Sequence, residues 1–241
     1  TYIRQYEGDY KCDEVAVNKM LAEKVEDSRD SKVLKNFGFD DIDISTFYAY
    51  RNIFKSHKPD DARNALNDID FLKNIGAYKT DRESGITGLT VAGLLMFGKS
   101  ISIEDALPNY NLDYQERPRA VTEQRWIDRV TIDGSWSGNV FDFYRIVINK
   151  LFANIKVPFK LEGDKRKDDT PVHHAIREAL INTLVHADFT DRISVLIVKR
   201  PDMFGFRNPG NMRIPIEVAI KGGESDCRKK KKKKMFMLIG F

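Results

Sequence analysis

Residues 171–207 constrain this chain more than any other stretch: "PVHHAIREALINTLVHAD" runs almost directly into two β-type segments separated by Arg200-Pro201-Asp202. Thr170 and Pro171 read as an N-cap and a first-turn proline. Val172, Ile176, Leu180, Thr183 and Leu184 recur at helical spacing. That spacing predicts one helix over about 171–187 with this side against a sheet. "RISVLIVK" and "MFGFR" predict strands at about 192–199 and 203–207. A helix that must lie on a hairpin implies the α+β class, with helices packed on a largely antiparallel sheet.

The remaining segments read as shorter units. "DEVAVNKMLAEKV" (13–25) predicts a helix with Asp13 as its cap, and "EDSRDSK" (26–32) reads as a polar connector. "DISTFYAYRNIF" predicts a helix with Ser45 as a candidate cap, and "NDIDFLKNIGAY" a second one stopped by Gly76. An apolar run from Leu89 to Phe97 follows a turn. Three helices and a small hairpin suggest a helical or winged-helix-like subdomain, and its helices lack the arginine and lysine enrichment of a DNA reader. Residues 103–116 read as a Pro- and Asn-punctuated passage. "RWIDRVTIDGSW" predicts a strand with Gly134 at its turn, and "NVFDFYRIVINKLFANI" a long amphipathic helix with Val140, Phe143, Tyr144, Val147, Ile148 and Leu151 on its apolar side. The division expected is 1–30, the end of a preceding domain with a linker helix; 31–120, the connecting subdomain; and 121–241, a two-layer α/β sandwich.

Charge and cysteine content exclude several classes. The net charge is +4, but residues 229–234 are six consecutive lysines, so the rest of the chain carries 4 − 6 = −2. A basic tail of this kind is expected to be solvated and to touch phosphates without sequence preference. Cys12 and Cys227 are the two cysteines, which fits a reducing cytoplasm and neither a disulfide scaffold nor a zinc cage. No apolar run approaches the roughly 20 residues that span a bilayer. No Walker-type phosphate loop and no Gly-x-Ser-x-Gly nucleophile motif is present.

Glu178, Asn182 and His186 stand four residues apart within the 171–187 helix. At about 100° per residue they share one side of it. By spacing alone such a row is a polar helix face. A carboxylate beside an amide is also a set suited to a hard cation and to proton abstraction from water.

The stretch "HHAIREALINTLVHADF", the strand pair ending in "RNPG", and "GGESDCR" resemble the C-terminal domain of RecG-like transcriptional regulators. Those proteins begin with a Schlafen-type AlbA DNA-binding domain. "LTVAGLLMFGK", "LDYQE", "RW" and "DRV" resemble the region between the two domains. The resemblance implies an ATPase-like fold of the gyrase and histidine-kinase type, with ATP and Mg2+ as ligands. By it, Glu178 falls where those ATPases place the water-activating carboxylate, and Asn182 where they place the magnesium ligand. His186, Asn208 and Gly210 fall around the nucleotide. The chain departs from that pattern at Asn208-Pro209-Gly210, where an Asp-x-Gly loop reads adenine, and in lacking the glycine-rich lid before Phe241. The implied protein is a fragment of a cytoplasmic bacterial regulator that reaches DNA through its N-terminal domain, with homodimer formation as a further expectation. The alternatives are a dimerisation module with a vestigial nucleotide site and a relative of ATP-dependent DNA helicases.

Overall fold

The computed structural model describes residues 2–5, 8–11, 29–119, 126–153, 155, 161–162, 165–166 and 170–210. The predicted helix 13–25, both cysteines, "GGESDCR" and the lysine run lie outside these residues. The chain opens with an antiparallel pair, β1 (Tyr2–Gln5) and β2 (Gly8–Lys11).

The helical module that follows forms around aromatic rings. Helix α1 (Ile44–His57) begins where the Asp43 carboxylate accepts the Thr46 N–H at 2.8 Å. The cap is therefore Asp43 rather than Ser45, whose hydroxyl donates to the same carboxylate. Helix α2 (Asp68–Ile75) is capped by Asn67 and ends at Gly76, which takes φ 81°, a conformation glycine adopts without a Cβ penalty. The hairpin β3 (Tyr78–Thr80) and β4 (Thr87–Leu89) comes next, so it lies between the second and third helices. Helices α3 (Val91–Phe97) and α4 (Ser100–Ala106) complete the module, and Ala92 to Phe97 are all buried.

The second half builds one sheet with two helices on it. Its elements are β5 (Leu112–Glu116), β6 (Asp128–Thr131), α5 (Val140–Phe152), the two-residue strands β7 (Leu161–Glu162) and β8 (Lys165–Arg166), α6 (Pro171–Val185), β9 (Val195–Arg200) and β10 (Met203–Arg207). The sheet order is β10-β9-β5-β6. Its outer pairs are antiparallel and β5 and β9 run parallel, so the sheet is largely antiparallel, as expected, with one parallel pair at its centre. The reason is topological. Between β5 and β9 the chain passes through β6, α5 and α6, and a long crossover of that kind allows parallel pairing. Pro201 and Asp202 make the turn of the β9–β10 hairpin, as the sequence predicts. The protein is α+β.

Strand β5 has no counterpart among the strands expected from the sequence. It occupies the last five residues of the punctuated passage 103–116, and it hydrogen-bonds on both sides within the sheet. Residues 112–116 thus belong to the sheet. Leu112, Asp113, Tyr114 and Gln115 alternate apolar and polar as a half-exposed strand would, yet Asp113 and Gln115 are buried as well. Their polar groups are satisfied: Asp113 receives Arg129 at 2.9 and 3.0 Å, and Gln115 donates to Asp113 at 2.6 Å.

The two halves share a core. Tyr50 of α1 meets Phe97 of α3 at 5.0 Å and Phe141 of α5 at 5.3 Å between ring centroids, both edge-on. Such pairs contribute about 0.5–1.5 kcal/mol each beyond burial. Beside them sits a buried polar joint. Asn139 caps α5 by accepting the Asp142 N–H at 2.9 Å, while its amide donates to Thr46 at 3.1 Å and to the Gly98 carbonyl at 3.3 Å. Thr46 in turn donates to Asp142 at 2.6 Å. Asn139→Ala removes the cap and leaves buried acceptors unmatched. It should lower stability by about 2–3 kcal/mol in urea denaturation, whereas a change under about 0.5 kcal/mol would mean that the joint does not hold the halves together.

Candidate functional site: the polar face of helix α6

Helix α6 starts from a reciprocal cap. Thr170 Oγ1 accepts the His173 N–H at 3.5 Å, and His173 Nδ1 lies 2.7 Å from the same hydroxyl. Pro171 occupies the first turn, where no N–H is missed. The His173 ring stacks edge-on against Phe152 at 4.6 Å, which locks the helix start onto α5. Ile176, Leu180 and Leu184 are buried as expected. Thr183 is buried with them and satisfies its hydroxyl on the Ala179 carbonyl at 2.7 Å. Val172 departs from the expectation: it is 50% exposed. It lines an apolar groove of about 410 Å³ with Ala175, Ile176, Ala179, Phe204 and Phe206, where α6 overhangs the edge strand β10.

Glu178, Asn182 and His186 occupy the side of α6 away from Leu180 and Leu184. Glu178 is exposed and Asn182 half-buried, so the polar row carries little desolvation cost. The Asn182 amide N–H donates to Glu178 Oε1 at 2.9 Å. His186 is the C-cap residue: its N–H reaches the Asn182 carbonyl at 3.0 Å, its backbone sits at φ −93° and ψ 0°, and its side chain is exposed.

The Asn208-Pro209-Gly210 loop docks just beyond this helix end. Asp188 N–H donates to the Pro209 carbonyl at 3.0 Å, and Pro209 is buried while Asn208 and Gly210 are exposed. Gly210 has φ 108°, a conformation that favours glycine, and a Cβ there would stand only 3.2 Å from the Asp188 Cβ. The Asp188 carboxylate accepts from the Thr190 hydroxyl at 2.6 Å and from its N–H at 3.2 Å, fixing the turn that carries the contact. Sequence reasoning passed over Asp188. The available signal was an aspartate two residues before a threonine at a helix end.

The structure thus joins Glu178 to Asn182 by a side-chain hydrogen bond and ties the 208–210 loop to the segment following His186. A second cavity, about 380 Å³, lies elsewhere, between the starts of α1 and α5, and includes Asp43, Trp136, Asp142 and Arg145. Among the described residues no group of three or more His, Cys, Asp and Glu side chains is placed to hold a metal ion. Among them, too, no helix is long and apolar enough to cross a membrane.

Residues 18–113 match the family DUF8451, a domain of unknown function. That match covers the helical module and ends inside β5. No curated protein matches the chain. Among solved structures, the DIP2311 protein from Corynebacterium diphtheriae superposes with a TM-score of 0.59 at 18% sequence identity, over 98% of this chain and 44% of that one. The chain therefore spans less than half of that relative's length. At this identity the likeness concerns the fold, and the α+β architecture is what the two proteins share.

Proposed function

We propose that this chain is part of a bacterial transcriptional regulator and that its sheet half is an ATPase-like, nucleotide-binding domain with its site on the polar face of α6. The observation that carries this reading is the Glu178–Asn182 pair, joined at 2.9 Å on one exposed helix side. With its N–H given to Glu178, the amide of Asn182 keeps its Oδ1 as an acceptor, and an amide oxygen is a hard ligand suited to Mg2+. Mg2+ in nucleotide sites commonly takes one or two protein ligands and completes its shell with phosphate oxygens and water. A single protein ligand is consistent with the donor set described above. Glu178 would then accept a proton from attacking water. The docked 208–210 loop would border the base, with the Asn208 carbonyl as acceptor in place of a carboxylate.

Calorimetric titration of the 241-residue chain with ATP, with and without Mg2+, tests this. Binding should require or be strongly favoured by Mg2+, and Asn182→Ala should weaken it about tenfold, or ~1.4 kcal/mol, in the Mg2+ titration only. No binding heat under either condition would sink the nucleotide reading. The dimerisation alternative predicts instead that Asn182→Ala lowers thermal stability and leaves nucleotide affinity unchanged, since an i,i+4 hydrogen bond also stabilises a bare helix.

A further inference from the structure

The sheet has a second face, opposite the one that α5 and α6 cover, and strand register dictates what stands on it. Leu112, Tyr114, Val195 and Ile197 point into the helix layer and are buried. Their neighbours in each strand therefore point the other way. Pairing places Arg129, Gln115, Val198 and Gly205 in one row across β6, β5, β9 and β10. The next row is Thr131, Asp113, Leu196 and Arg207. On the other flank Arg200 pairs with Met203, and Arg117, just past β5, turns back to the same face by donating to Gln115 Oε1 at 2.9 Å.

Positive charge collects here. Arg200 donates to the Arg119 carbonyl at 2.8 Å, which holds the backbone of Arg119, an exposed residue, at the border of this face. Arg117, Arg119, Arg129, Arg200 and Arg207 stand against Asp113 and Asp202, giving 5 − 2 = +3. Without the lysine run the whole chain sums to −2, so everything else carries −2 − 3 = −5. The slightly acidic total conceals a segregated basic face.

The internal role of these arginines accounts for part of them. Arg129 neutralises the buried Asp113 through two hydrogen bonds, and Arg200 lies 3.4 Å from Asp202 without hydrogen-bond geometry at its Nε. Arg117 meets only a neutral amide in this network, and Arg207 a serine hydroxyl at 3.4 Å. Neither contact supplies a counter-charge. Beside them Trp126 is 47% exposed, with the Arg129 guanidinium 4.6 Å from its ring centroid.

We propose that this sheet face binds single-stranded nucleic acid, with Arg117, Arg119 and Arg207 on phosphates and Trp126 stacked on a base. Guanidinium groups match phosphate oxygens in a two-point geometry, and here the sheet floor pre-orients Arg117. An indole beside a row of cations on a flat surface is a stacking platform that accepts any base. Single strands fit better than a duplex, because the exposed Trp126 can stack only on a base that is free of its own helical stack. The face lies across the sheet from α6, so the inference does not depend on nucleotide binding there.

The test is fluorescence anisotropy of a labelled oligothymidylate of about twelve nucleotides, within the usual site size of a single-strand binder, with the full chain across a salt series. With three phosphates contacted, the face should contribute roughly −2 to the slope of log K against log salt, at about −0.7 per phosphate. The double variant Arg119→Ala/Arg207→Ala, which alters two exposed side chains and leaves the lysine run intact, should bind about tenfold more weakly and flatten the slope by about 1.4. Trp126→Ala should weaken binding several-fold at unchanged slope. Unaltered affinity and slope in the double variant would overturn the proposal and assign all binding to the lysines. Equal affinity for the annealed duplex would overturn the single-strand assignment, and equal competition by polyglutamate would replace nucleic acid with an acidic protein partner.

Discussion

Replacing Gly93 by alanine is expected to destabilise the helical module by more than about 3 kcal/mol, reversing the usual sign of such a change. Within a helix, alanine ordinarily gains about 0.5–1 kcal/mol over glycine. Here a Cβ at position 93 would lie 2.1 Å from the Ala77 carbonyl oxygen and 2.8 Å from its carbon. Those are backbone atoms, and they cannot step aside. Thr90 donates its N–H to the Ala77 oxygen at 2.9 Å and its hydroxyl to the Gly76 oxygen at 3.1 Å, while that hydroxyl accepts the Gly93 N–H at 3.1 Å. Moving α3 away from Ala77 would break this cap and open the core around Leu94, Leu95 and Phe97, all buried. Steric exclusion therefore outweighs propensity. Urea denaturation of Gly93→Ala beside Gly38→Ala is the measurement. Gly38 is extended, a methyl added there would meet nothing within 4 Å, and its replacement should change stability by less than about 0.5 kcal/mol. A Gly93→Ala value below about 1 kcal/mol would show that α3 can shift freely.

Glu178→Gln carries the largest expected effect on chemistry. Glutamine keeps an Oε1 that can accept the Asn182 amide N–H, so the 2.9 Å pairing and the helix should survive. Glu178 is exposed, so the lost charge has little effect on packing. The proton-accepting role is what disappears. Under the proposed function ATP affinity should stay within about twofold and melting temperature should be unchanged. Any ATP turnover should fall by about 100-fold or more, the range supplied by a positioned general base. Turnover persisting in Glu178→Gln would remove Glu178 from the mechanism. A parallel loss of affinity and stability would make it a structural residue.

The parts legible in the sequence are those governed by neighbours along the chain. Thr170 and Pro171 mark the start of α6 because a hydroxyl cap and a missing N–H act within one turn. Gly76 marks a helix end because its backbone conformation is a single-residue property. Ile176, Leu180 and Leu184 declare a buried side through spacing alone, and the same spacing sets Glu178 and Asn182 together. Asp43 displaced Ser45 as cap because both stand next to the helix start and only the hydrogen bond formed tells them apart.

What only the tertiary structure decided depends on residues far apart in the chain. Strand β5 is central because β9, about 80 residues later, pairs with it in parallel, and Asp113 and Gln115 are buried because Arg129 and Arg117 fold over them. The docking of Pro209 on Asp188 joins two turns separated by a whole hairpin, a contact that no local pattern encodes. Charge behaves in the same way. Summed along the chain the arginines nearly cancel against acidic residues, whereas strand pairing gathers Arg129, Arg200 and Arg207 on one face of the sheet, with Arg117 hydrogen-bonded beside them. A sum over sequence has no direction, and only the register of paired strands supplies one.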